Sequence, residues 1–106
     1  MGFIVKQPNG LYCRFSTTCD CPAILNMTKE DYVNYLCNSR ELNKESAEIE
    51  ATEIFTKYVR TMRMMDDYFV DSNMTKEEYN KYKDVMARPA AESTLLYVKV
   101  DGMYIC

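Results

Sequence analysis

Apolar and polar residues alternate along Leu11-Tyr12-Cys13-Arg14-Phe15-Ser16, which is the period-two signature of a strand with one buried face. Leu11, Cys13 and Phe15 fall on that face, with Tyr12 and Arg14 opposite. Phe3 to Lys6 reads as the partner strand. Gln7-Pro8-Asn9-Gly10 reads as the turn between them, because Pro presets φ and Asn and Gly tolerate positive φ. Thr17 to Asn26 reads as a connector, since Pro22 bars a helix from starting upstream of it.

The period then changes. Thr28-Lys29-Glu30-Asp31 places a hydroxyl at a helix start with acids behind it, and Tyr32, Tyr35 and Leu36 recur at helical spacing. Ala47, Ala51, Ile54, Tyr58, Met62, Met65 and Phe69 follow as one stripe with steps of four and three residues. No Gly or Pro interrupts the span. The pattern predicts one long helix from Thr28 to about Phe69, with a kink near Asn38-Ser39 as the alternative. A rod of that length would be roughly 60 Å long, more than a small domain can cover. The exposed remainder of the stripe predicts a two-fold homodimer.

Asp71-Ser72-Asn73 breaks the pattern, and Thr75-Lys76-Glu77-Glu78 fits a capping box for a third, shorter helix that Arg88-Pro89 ends. A second hairpin closes the chain: Thr94 to Val100, an Asp101-Gly102 turn, then Met103 to Cys106. The predicted fold is therefore α+β over a single domain, 1–106. The N- and C-terminal hairpins form one small antiparallel sheet, packed on the long central helix and the shorter third helix. Asn26-Met27-Thr28-Lys29-Glu30 returns as Asn73-Met74-Thr75-Lys76-Glu77, which reads as two similar helix starts rather than a repeat architecture.

Composition narrows the chemistry. The chain has 106 residues, 47% apolar and 27% charged, and a net charge of -3, so direct nucleic-acid binding through a basic face is not expected. Histidine is absent, which removes Ser-His and Cys-His pairs and imidazole ligands. No Gly-rich phosphate loop occurs. Cys13, Cys19, Cys21, Cys37 and Cys106 are read as five free thiols in a reducing compartment, because gaps of five and one residues do not match a zinc knuckle. No cofactor and no metal are expected, and the chain is read as no enzyme. The N-terminus lacks a signal-peptide pattern and no apolar run suits a membrane span, so a cytoplasmic location is expected.

Acids dominate parts of the long helix, but Lys44, Lys57, Arg60 and Arg63 interleave with them, which favours a solvated face over a mimic of a nucleic-acid backbone. Nine Tyr and eight Met suit an adaptable interaction surface. Candidate binding residues are Tyr12 and Arg14 on the wet strand face, with Tyr58, Met62, Met64, Met65 and Tyr68 towards the end of the helical stripe.

The block Lys6-Gln7-Pro8-Asn9-Gly10-Leu11-Tyr12-Cys13-Arg14-Phe15-Ser16, then Asp20-Cys21-Pro22 and Asn26-Met27-Thr28, resembles a small protein type of phages and prophages in Gram-positive gut bacteria. The resemblance covers about the first third of the chain. It implies an accessory gene product of the bacterial host cytosol that binds and inhibits a host protein, plausible as an anti-defence inhibitor such as an anti-CRISPR. The alternative is a small-ligand binder, such as a sponge for a nucleotide immune signal, with Tyr12 stacking on and Arg14 pairing with the ligand.

Overall fold

The computed structural model describes residues 2–104. Cys106, expected as a free thiol at the end of the last strand, lies outside them. Three strands come first: β1 (Gly2–Lys6), β2 (Tyr12–Ser16) and β3 (Cys21–Met27). Four helices follow: α1 (Lys29–Ser39), α2 (Lys44–Lys57), α3 (Met62–Tyr68) and α4 (Lys76–Ala87). A short 3-10 turn (Ala90–Glu92) leads to β4 (Leu96–Tyr97), β5 (Lys99–Val100) and β6 (Met103–Tyr104).

The α+β class holds, but the sheet is assembled differently from the expectation. Its order is β1-β2-β3-β4, antiparallel throughout, and β5-β6 pair by themselves. The segment read as a connector supplies β3, a central strand. Cys21-Pro22-Ala23-Ile24-Leu25-Asn26-Met27 is buried at every position. Its run of apolar residues does not alternate because both faces are covered. Pro22 stands opposite Phe15, next to a register shift in the β2–β3 ladder, and a bulge is one of the places where a strand tolerates proline. Two register shifts against β2 mark β-bulges, and they re-aim the side chains of β3.

Each face of the sheet carries its own core. On one side Ile4, Ala23, Ile24 and Met27 pack against Tyr32, Val33 and Leu36 of α1 and Ala47 and Ala51 of α2. On the other, Val5, Cys13, Phe15, Cys21 and Leu25 pack against Met65 of α3 and Tyr79 and Met86 of α4. The single long helix is thus corrected to three. The first break follows Ser39, where Glu41 adopts φ 54° and Asn43 caps α2 through a 2.8 Å bond from the Ser46 N–H. The second is at residues 58–61, where Arg60 leaves the helix to join the edge of β1 and Thr61 caps α3. Apart from the exposed Tyr58, the stripe is divided between two cores, and no continuous apolar rod remains for a second copy to cover. The unbroken spacing misled because residues on both sides of each break happen to stay in phase.

Other expectations hold. Thr28 and Thr75 form capping boxes with Asp31 and Glu78. Asp101 and Gly102 both take positive φ, as a two-residue hairpin turn requires. The strand expected over residues 94–100 divides at Val98, so that β4 joins the main sheet and β5 the small one. Cys13 and Cys37 are free thiols, and among the described residues no helix is long and apolar enough to cross a membrane.

A buried polar knot joins the ends of the chain. Asn26, at φ 60°, donates its side-chain amide to the Thr94 carbonyl at 3.1 Å and accepts from the Gln7 amide at 2.8 Å. Its backbone N–H donates to the Gln7 side-chain oxygen at 2.8 Å. Asn9 extends the knot to the Arg88 carbonyl at 2.8 Å. Replacing Asn26 with Ala should cost about 2–4 kcal/mol, because it strands these partners and disfavours the left-handed backbone. Urea titration checks this, and Asn26→Gly should recover the backbone share. Phe15 has no exposed surface and stacks on Phe3 at 4.9 Å. Phe15→Ala should cost about 3–5 kcal/mol by the same measurement.

Candidate functional site

Helical spacing builds the walls of a cleft. On α1, Tyr32, Tyr35, Leu36 and the capping Arg40 share one face at i, i+3, i+4 and i+8. On α2, Glu50, Ile54 and the capping Tyr58 follow by steps of four. The α1–α2 turn brings these faces together over the end of the sheet, where Gly2, Ile4 and Arg14 supply the floor. Phe3 and Arg60 complete the lining at the β1 edge, and the cleft has a volume of about 640 Å³. That size is in the range of sites for small organic ligands.

Three arginines and one glutamate are among the residues that line this cleft, in a chain whose net charge is -3. Arg14 is almost buried at 9% exposure, and its guanidinium lies over the Tyr35 ring at 4.9 Å. Its room depends on Gly2, because a Cβ there would collide with the Phe15 carbonyl and crowd the Arg14 guanidinium. Arg60 is held by its backbone. Its N–H donates to the Ile4 carbonyl at 2.8 Å and its carbonyl accepts from the Lys6 N–H at 3.0 Å. Its guanidinium lies over Phe3 at 4.9 Å and reaches Tyr68 at 5.8 Å. Arg40 bonds Glu50 at 2.8 Å, with both side chains partly exposed. Stacking on aromatic faces fixes the Arg60 guanidinium without neutralising it.

Tyr32 lies among these groups. Burial, and then the charge of Glu50, push its phenol above the usual tyrosine range, while Arg14 and Arg40 pull the other way. The fold favours the neutral phenol. Its contribution to stability is therefore complete below about pH 10 and is lost as the pH rises through the folded-state value.

Of the residues expected to bind, Arg14 and Tyr58 line the cleft. Tyr12 is half-buried and packs on Phe55 at 4.5 Å, on the same side of the sheet but outside the lining. Tyr68 and Met64 are exposed on α3, and Tyr68 adjoins the cleft through Arg60 and Phe3. Met62 is half-buried and packs on the opposite core, while Met65 is fully buried in it and cannot meet a partner. Sequence reasoning missed Gly2, Tyr32, Tyr35, Arg40, Glu50 and Arg60 as a group. Tyr32 and Tyr35 read as ordinary helical apolar positions, and Arg60 read as part of a solvated face. Only the α1–α2 turn and the exit of the chain at residues 58–61 bring them together.

Among the described residues no group of three or more Cys, Asp or Glu side chains is placed to hold a metal ion. Cys13 lies in the opposite core, where burial pushes its thiol far above the usual range despite the nearby charge of Arg14. Comparison with family models, curated proteins and solved structures finds no match to this chain.

The surroundings of Tyr32 give a direct check. Following phenolate absorbance through an alkaline titration, Tyr32→Phe should remove one late-ionising tyrosine and leave the early part of the curve unchanged. A loss confined to the early part would place Tyr32 in water.

Proposed function

We propose that the protein is a non-catalytic binder of a small anionic molecule carrying a planar ring, of the nucleotide class, and that the α1–α2 cleft is its site. One observation carries this reading: Arg14, Arg40 and Arg60 converge on a single concave site in an acidic chain. Guanidiniums match phosphate oxygens in geometry and remain charged at any physiological pH. The exposed ring of Tyr58 in the lining supplies a face on which a base can stack. In the phage setting that the N-terminal block implies, such a protein would sequester a nucleotide signal of the host.

A second reading, that the protein inhibits a host defence protein by binding it, is favoured by a different observation. Tyr58, Met64 and Tyr68 are exposed at 57%, 39% and 46%, Tyr68 lies beside the Arg60 guanidinium, and Tyr and Arg are the residues that most often anchor protein interfaces. That surface would act without any ligand in the cleft.

Calorimetric titration with a panel of ribonucleoside 5′-monophosphates, with inorganic phosphate as control, tests the first reading. Saturable binding of at least one nucleotide is expected, weakening as salt is raised. Arg60→Ala should weaken it about ten- to a hundredfold, the value of a lost charge-assisted hydrogen bond. The bridge to β1 uses only the backbone of Arg60, so the fold should survive. Absence of binding at millimolar nucleotide, or an Arg60→Ala variant that binds as well as the parent, would overturn the assignment.

A further inference from the structure

The cleft is not uniformly cationic. Arg60 stands at the β1 edge beside Phe3, whereas Glu50 is tied to Arg40 where the end of α1 meets α2. That ion pair joins one nitrogen, Nη1, to one oxygen, Oε2, at 2.8 Å, leaving Oε1 and Nη2 outside the bond. The side chains are 55% and 33% exposed for Arg40 and Glu50, so both are within reach of a ligand. A carboxylate only accepts hydrogen bonds and a guanidinium only donates them. Side by side they present one acceptor and one donor in a fixed order.

We infer that the Arg40–Glu50 pair reads the base of the ligand and takes one with an exocyclic amino group beside an unprotonated ring nitrogen, as adenine and cytosine have. This rests on the nucleotide reading of the cleft. The amino hydrogens donate to Glu50, and the ring nitrogen accepts from Arg40. A ligand phosphate held by Arg14 and Arg60 fixes the register, so the base cannot slide to exchange the two contacts. Replacing the amino group with an oxo group turns the donor into an acceptor facing the carboxylate, and it protonates the ring nitrogen facing the guanidinium. Both contacts are then mismatched. Sites built around such hydrogen bonds discriminate because the mismatch leaves polar groups unpaired.

Adenosine and inosine 5′-monophosphate differ by this exchange alone, and they are the probes. The parent protein should bind the adenosine nucleotide about tenfold more tightly, which is the lower end for a hydrogen bond to a charged group. Glu50→Gln should bring the two affinities to within about twofold, because an amide both donates and accepts. Melting temperatures of parent and variant confirm that α1 and α2 remain packed. Equal affinity of the parent for both nucleotides, or a preference unchanged by Glu50→Gln, overturns the inference while leaving the nucleotide site standing. If neither nucleotide nor any other of the panel binds, the site and this inference fall together.

Discussion

β3 has no side chain facing water. A strand buried on both faces needs cover on both, and that requirement organises the rest of the chain. One long helix could protect only one side of a four-stranded sheet. The chain instead places α1 and α2 on one face, crosses the edge of β1 at Arg60, and places α3 and α4 on the other. The crossing also protects the sheet, because the Arg60 backbone bonds the outward-facing groups of Ile4 and Lys6 that would otherwise be an open edge.

The same crossing makes the cleft. Arg60 is fixed where it is because its backbone completes the sheet, and its side chain then lies over Phe3 at the mouth. Arg14 points from β2 towards α1 because Cys13 and Phe15 point the other way. Arg40 caps α1 and faces α2 across the turn. Three positive charges are thus collected by backbone constraints from three separate stretches of an acidic sequence. Net charge describes the surface as a whole, and it hides a local field of opposite sign.

Local signals in the sequence were legible where the chemistry is local. The Pro8-Asn9-Gly10 turn, the Asp101-Gly102 turn, the threonine caps at Thr28 and Thr75, and the alternation that buries Cys13 and Phe15 all act within a few residues of themselves. The errors came where a distant partner decides. Cys21 to Met27 carries no period because it is covered twice, and a proline within it weighed against a strand. The apolar steps from Ala47 to Phe69 keep helical phase across a break, so periodicity alone could not locate residues 58–61. Arg14 was legible as a polar residue opposite a buried face. Arg40, Glu50 and Arg60 were not, since nothing near them in the chain marks them as neighbours.

The sheet has a consequence for the order of events as the chain is made. The β1-β2-β3 meander closes over short turns and can pair early. Its last strand comes from far away: Asn26 meets the Thr94 carbonyl across a separation of 68 residues, and Ile24 pairs with Tyr97. Closing so long a loop is slow compared with pairing a hairpin. During synthesis the outer edge of β3, the most apolar strand, therefore waits unpaired until four helices have emerged, and in that interval it is open to pairing with a strand of another nascent chain.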